Sequence, residues 1–316
     1  MKHPLAILVL LLAPFVAAAQ DQVPAPAPPS EVQAKPDPWA SYPAREVDRP
    51  VLTAADGYMM SIISRSFSAQ EGFDQNSRRA NLVKPIAVFN LDFNLRYGIV
   101  DRWEVFAGLP YATAQTSEFS SGAIGNVYLG TRVGLIANDR FQLAAGVQVS
   151  LPTGDSEYHY HLLNGEVIPE NFRTGNPGVD LQPEVEARYL AASNLSLRLR
   201  ALGIFTGPGK TVLNQIGGQD FKKSINPGDG WRLDVAAVFQ ASPRWVIPVG
   251  LDYYQVSATE LTGFDFNDAQ RLLEARAGLM FQFSPAFEVE LTAGLPLTGQ
   301  NTYLATPIGL ELRTRF

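Results

Sequence analysis

The sequence predicts an all-β protein, a transmembrane antiparallel up-and-down β-barrel of about twelve strands with short periplasmic turns and long extracellular loops. Three observations carry this expectation. Segment after segment alternates apolar and polar side chains with a period of two, the period of a strand with one face in each environment. The connections between these segments alternate in length, short then long. And although 46% of the 316 residues are hydrophobic, no apolar stretch reaches the ~20 residues of a spanning helix.

Read in order, the chain opens with an address. Lys2 and His3 precede the apolar run Leu5–Leu12, and Ala17-Ala18-Ala19 closes it before Gln20. A basic start, a short apolar core and a small-residue end read as a secretory signal peptide over 1–19. Residues 20–50 then carry Pro24, Pro26, Pro28, Pro29, Pro36, Pro38, Pro43 and Pro50 among alanines. Proline supplies no N–H and resists helix and sheet, so this stretch reads as an extended periplasmic linker. Trp39 and Tyr42 within it either dock or stay exposed.

The barrel is expected over 51–316. Its first strand, 57–68, has the weakest pattern, because Met59, Met60, Ile62 and Ile63 blur the alternation. In 85–97, Phe89, Leu91, Phe93, Leu95 and Tyr97 oppose Asn90, Asp92, Asn94 and Arg96. Strands 103–111 and 125–136 follow. In 141–151, the apolar set Phe141, Leu143, Ala145, Val147, Val149 and Leu151 opposes polar or small residues. In 179–190, Asp180, Gln182, Glu184, Glu186 and Arg188 fall on one face. Strands 195–205, 231–240, 245–256 and 271–282 continue the series. In 287–297, Phe287, Val289, Leu291, Ala293 and Leu295 oppose Glu288, Glu290, Thr292 and Gly294. In the last strand, 307–316, the parity flips, so that Glu311, Arg313 and Arg315 share the polar face.

Short turns fall at 98–102, 137–140, 191–194, 241–244 and 283–286, and longer connections lie between. A closed sheet is the way for strands to pair every backbone group in lipid. Soluble sandwiches alternate too. The signal peptide, one-sided long loops and aromatic levels select the membrane barrel. Trp103, Phe141, Trp245 and Phe287 each follow a short turn, and with Phe316 form the expected periplasmic aromatic girdle. At the opposite strand ends stand Pro110, Pro152 and Pro296, where ladder pairing can stop. The terminal Phe316 also resembles the assembly signal of outer-membrane proteins, which makes the barrel-assembly machinery an expected partner.

Four segments, Tyr97-Gly98-Ile99-Val100-Asp101-Arg102-Trp103-Glu104, Gly108-Leu109-Pro110-Tyr111, Gly125-Asn126-Val127-Tyr128-Leu129-Gly130-Thr131-Arg132 and Leu151-Pro152-Thr153-Gly154-Asp155, come in this order. They resemble the transporter-like outer-membrane family of the meta-pathway of phenol degradation, over roughly 85–316. The resemblance implies an outer-membrane barrel associated with the breakdown of aromatic compounds. Its motifs are turns and strand ends, so they transfer fold better than substrate. The family's usual Gly-Gly-x-Gly-Asp stretch reads Gly122-Ala123-Ile124-Gly125-Asn126, with an asparagine where the acid stands.

Composition narrows the function. The chain has no cysteine, which excludes disulfide scaffolds, thiol catalysis and Cys-ligated metals. A net charge of −6 without a basic stripe excludes nucleic acid as a partner. The face predicted to line the lumen carries acids Asp92, Glu104, Asp180, Glu184, Glu186, Asp234, Asp252, Glu274, Glu288, Glu290 and Glu311. Its bases are Arg96, Arg132, Arg188, Arg198, Arg200, Arg232, Arg276, Arg313 and Arg315. Bulk charge selection is therefore not indicated. Turn centring puts Glu186 opposite Arg198, Glu184 opposite Arg200 and Arg96 opposite Glu104, and brings Glu288 and Glu290 near Arg315 and Arg313. Such ladders, with Arg232 and Asp234, either stiffen and fill the barrel or form a constriction that orients a solute.

The loops offer little chemistry. His159 and His161 are weak metal candidates, because the spacing is nonspecific and fixes no third ligand. They are also the only bases open to a Ser-His-acid site, since His3 lies in the signal peptide, and neither neighbours a serine of clear role. Gly207-Pro208-Gly209-Lys210 lacks the strand–loop–helix setting of a phosphate loop. The sequence thus reads as no enzyme and calls for no cofactor. The expected function is passive uptake of small aromatic or apolar solutes across the bacterial outer membrane, whose lipid bilayer and the solute itself are the other partners. The alternative is a non-conducting structural or adhesion barrel with a side-chain-filled lumen.

Overall fold

The computed structural model describes residues 43–116, 120–154, 160–163, 166–169, 174–213, 221–261, 264–265 and 268–316. Twelve strands follow one another around a closed sheet: β1 Tyr58–Phe73, β2 Arg79–Val100, β3 Trp103–Gln115, β4 Tyr128–Ala137, β5 Phe141–Ser150, β6 Asp180–Ala192, β7 Leu195–Thr206, β8 Gly230–Gln240, β9 Trp245–Val256, β10 Gln270–Ser284, β11 Phe287–Gln300 and β12 Ile308–Arg315. Each is antiparallel to the next. β12 returns to β1 through pairs running from Met59↔Arg315 to Ser66↔Ile308, which closes the barrel.

Every predicted span falls on one of these strands. The main difference is at the first hairpin, where 69–84, expected as a long loop, is mostly strand. A bulge between Ala69 and Glu71 shifts the register, and pairing resumes up to Phe73↔Arg79. The extension is held from inside: Ala69, Ile86, Val88 and Ala114 are buried together, with Phe67, Leu82 and Ala305 against them.

The packing is inside out. Exposed apolar residues include Leu95, Leu129, Val185, Leu199, Val249, Leu291 and Ile308, whereas the buried set includes Glu104, Arg132, Glu184, Arg188, Glu274 and Glu288. A soluble protein does the opposite. Residues paired directly across a ladder share a face. The lumen face is therefore the even positions on β2 to β11 and the odd positions on β1 and β12, and every strand but β5, which offers Gln142 and Gln148, puts a charged residue on it.

Two local devices shape the wall. Gly108 pairs with Tyr128 and Phe106 with Gly130, and a side chain on either glycine would collide with the facing ring. Each ring thus lies over the glycine of the other strand, and Arg132 stacks 5.6 Å from the Phe106 ring centre. At the seam, Tyr58 and Phe316 exchange backbone hydrogen bonds of 2.9 and 3.0 Å. The Tyr58 ring stacks on both Tyr97 (4.6 Å) and Phe316 (5.8 Å).

On the long-loop side, Ser120–Ile124 adds to the upper part of β3. Gly209–Leu213, Phe221–Asn226, Glu260–Leu261 and Phe264–Asp265 form a small separate sheet. Asn126, at the place of the family's acid, donates to Asn176 O (3.0 Å) and accepts from Gly154 N–H (3.1 Å). A carboxylate could accept there but not donate. Among the weak metal candidates, His159 lies outside the described residues. The backbone of His161 belongs to Tyr160–Leu163, which pairs with Glu166–Pro169.

Candidate functional site

The lumen is the site, and it changes character from one end to the other. At the long-loop end lies a chamber of ≈ 430 Å³, lined by Phe67, Phe73, Leu82, Tyr254, Leu272 and Tyr303 among others. Arg65 and Glu274 also line it, bonded to each other at 2.6 and 2.8 Å. Arg65 was missed in the sequence because the alternation of β1 is blurred. Its partner across the ladder, Asn90, carries the parity that could have found it.

Below the chamber comes a charged belt. Arg232 bonds Asp252 and lies 3.2 Å from Asp234, which Arg276 also reaches at 2.9 Å. Further down, Arg200 bonds Glu184 at 2.5 Å, and Arg132 bonds Glu104 and, at 2.6 Å, Glu186. Glu184 and Arg200 bond as predicted, whereas Glu186 and Glu104 bond Arg132 rather than Arg198 and Arg96, and the register differs from the predicted one. Glu186 stands opposite Arg200 and Glu184 opposite Leu202, while Arg198 faces Arg188. Glu104 stands opposite Gly98 and Arg132, while Arg96 faces Phe106. The physical reason is common to both. The turns have only two residues, Asp101-Arg102 and Ser193-Asn194, and a bulge adjoins each, at Gly98/Val100 and Leu195/Ser196. Glu288 pairs with Arg313 and Glu290 with Glu311; Glu288 bonds Arg313 and also Arg315, at 3.0 Å.

The register puts two arginines, Arg188 and Arg198, directly across from each other, which repels. The chain's own N-terminal segment resolves this. Composition assigns residues up to 50 to a linker, but Pro43–Thr53 is held inside the short-turn mouth. Arg188 donates to Val47 O, and Arg198 donates to Glu46 O (3.1 Å) and Oε1 (2.8 Å). Arg49 bonds Glu46 (2.6 Å) and Glu288, and donates to Pro43 O and Ala44 O. The backbone N–H groups of Glu46, Val51 and Thr53 donate to Gln240, Gln142 and Glu104 at 2.9, 2.9 and 2.7 Å. Val47 packs on Val238, Val246 and Met280. Gly98 leaves room for the Ala54 carbonyl, which any side chain there would displace.

Burial alone would push the Glu46 carboxyl up, but Arg198, Arg49 and Arg313 outweigh it and hold it below the ordinary carboxylate value. The missed signal was Arg45-Glu46-Val47-Asp48-Arg49, a charged run in a proline-rich stretch that complements a charged lumen. Between this plug and the wall lies a cavity of ≈ 190 Å³, and above it one of ≈ 100 Å³.

Trp103, Phe141, Trp245 and Phe287 each begin a strand after a short turn, and Phe316 follows the last. Trp103, Trp245, Phe287 and Phe316 are exposed, and Trp245, Phe281, Phe283 and Phe287 form a chain of ring contacts 4.6–5.3 Å apart.

A closed sheet with an apolar exterior and a charged, partly hollow interior defines an outer-membrane β-barrel. The family described as "Putative MetA-pathway of phenol degradation" matches residues 95–312, and the chain belongs to it. The crystal structure of an outer membrane channel from Pseudomonas putida F1 shares the fold. Its TM-score is 0.71 at 11% identity, over 84% of this chain and 97% of that one. The NanC porin aligns at TM-score 0.46 and 10% identity, over 81% and 98% of the two chains. A TodX monoaromatic hydrocarbon channel mutant aligns at 0.46 and 10%, over 88% and 92%. Comparison with curated proteins finds no match.

Proposed function

We propose that the chain is an outer-membrane channel for passive uptake of small aromatic or apolar solutes, closed at rest by its N-terminal segment. The observation that carries this reading is the ≈ 430 Å³ chamber. A barrel lumen built only to be filled has no use for a hollow lined by Phe67, Phe73, Tyr254 and Tyr303, whereas small-molecule sites are concave and mainly apolar. Export by a cleaved signal peptide over 1–19, delivery of Phe316 to the barrel-assembly machinery and an interfacial girdle of Trp103, Phe141, Trp245, Phe287 and Phe316 belong to the same proposal.

The test is flux of benzyl alcohol into liposomes carrying the purified full chain. Flux above that of empty liposomes, reduced several-fold by the chamber-filling Leu82→Trp, is expected. No flux from either wild type or a variant with a loosened plug would sink the reading. The second reading, a sealed structural barrel, is favoured by the plug and by the ion pairs that fill the lower lumen. It predicts no open-channel current in planar bilayers under any of these conditions.

A further inference from the structure

Lumen arginines typically meet a carboxylate. Arg65, Arg132, Arg200, Arg232, Arg276 and Arg313 each have one within ion-pair distance. Arg96 does not. Among the described residues no carboxylate lies within 4.0 Å of its guanidinium, whose hydrogen bond is Nε–H to Asn94 Oδ1 at 3.0 Å. A half-buried guanidinium with no carboxylate bonded to it is costly, and its planar fork is suited to one. Its position is central: Arg96 lines both the ≈ 190 Å³ cavity between plug and wall and the ≈ 100 Å³ cavity above it. Arg198 lines the lower cavity as well, and its Nε–H is buried without an acceptor.

The carboxylates facing the lower cavity are already engaged: Glu46 by Arg49 and Arg198, Glu186 by Arg132 and Glu311 by Arg313. In the upper cavity Asp92 accepts from the Tyr128 hydroxyl at 2.7 Å. What is left over is Arg96, with no carboxylate in ion-pair reach, and a second open donor lining the same cavity, a pair of donors suited to one carboxylate group. Higher in the same lumen stands the apolar chamber.

We propose that Arg96, with Arg198, is a carboxylate subsite, and that the channel's solutes are small organic acids with a compact apolar body, such as aromatic carboxylates. The chamber takes the ring, and the arginines take the charge as the solute descends. This rests on the channel reading and names its substrate class.

The experiment compares benzoate with benzamide, its neutral near-isostere, by equilibrium binding to the full chain in detergent. Wild type is expected to bind benzoate about tenfold more tightly. Arg96→Gln should bring that ratio near one without changing benzamide, while Arg271→Gln at the rim leaves it intact. Should Arg96→Gln fail to fold, the wild-type salt dependence decides: benzoate affinity should fall with added potassium chloride and benzamide affinity should not. Equal binding of the two probes, an unchanged ratio in Arg96→Gln, salt-independent benzoate binding or full displacement of benzoate by equimolar chloride would each overturn the proposal. Benzyl alcohol flux reports the channel reading separately, so that failure of one is not mistaken for failure of the other.

Discussion

Replacing Arg49 by methionine should open the barrel. Methionine keeps most of the volume and removes the charge. Arg49 is buried and holds Glu46 at 2.6 Å, Glu288, and two backbone carbonyls at 3.1 Å. Removing one member of a buried ion pair costs about 3–5 kcal/mol when a bare charge is left behind. Here neither carboxylate is bare, because Glu46 keeps Arg198 at 2.8 Å and Glu288 keeps Arg313 and Arg315. The loss should thus sit at the low end, about 3 kcal/mol, less a little for the better desolvation of methionine. That loss falls on docking of the plug rather than on the barrel ladder, which Arg49 does not join. At about 1.4 kcal/mol per factor of ten, the undocked population should rise roughly a hundredfold. Two assays read it: open probability in planar bilayers, and the rate at which a protease cleaves 43–53 in the folded protein. If both stay within twofold of wild type while gel mobility shows a folded barrel, the ion pairs do not hold the plug and the reasoning fails.

Four other outcomes follow from the same geometry. Glu46 titrates below its free value of 4.5 when docked, so its contribution to docking is complete above that pH and is lost as pH falls through the docked value; open probability should therefore rise on acidification, and Glu46→Gln should flatten that rise. Val47→Ala deletes two buried methyls, about 1.6 kcal/mol at ~0.8 per group, and should speed plug proteolysis about tenfold; no change would mean that Val47 is not seated on Val238 and Val246. Gly130→Val drives a side chain into the Phe106 ring and should lower the unfolding temperature by several degrees, for an overpacking cost of about 1–3 kcal/mol. Tyr58→Ala removes two ring stacks of about 0.5–1.5 kcal/mol each and should destabilise the closed seam without slowing insertion, whereas Phe316→Ala should slow insertion itself; equal effects in a reconstituted assembly assay would refute the distinction.

The strands were legible because a period of two is written in the side chains themselves. In β5 and β6 the alternation is unbroken, and the predicted spans differ from the strands by a residue or two. Register was less legible because it depends on turn geometry. One bulged residue beside a two-residue turn moves Arg198 from Glu186 to Arg188, and nothing in Ser193-Asn194-Leu195 announces the bulge. The ladder's membership survived this shift better than its pairing, since lumen parity is unaffected by a slip of two. The chamber was illegible for another reason. Phe73 and Leu82 sit where β1 and β2 run on past a bulge and beyond the predicted strand ends, so their place in the wall comes from an extension that the pattern reads as loop. Proline content hid the plug in another way, by marking the chain up to residue 50 as an extended linker, whereas Glu46–Asp48 forms a short 3-10 turn seated against the wall.

The plug is bound to the wall by more than proximity. Opposed Arg188 and Arg198 would repel in an empty barrel, and Glu288 is reached by three arginines, one of them Arg49. The wall is therefore incomplete without residues 46–49. Undocking them exposes two like charges on the lumen surface and withdraws the Glu46 carboxylate from Arg198, which leaves the lower barrel a more positively charged mouth. A released plug thus does two things at once: it widens the path and makes its lower end attractive to anions. An apolar solute gains only the first effect, while an organic acid gains both. Conductance selectivity should accordingly move toward anions as the plug is loosened by Arg49→Met, and an opening that left the anion-to-cation permeability ratio unchanged would separate gating from the charge of the wall.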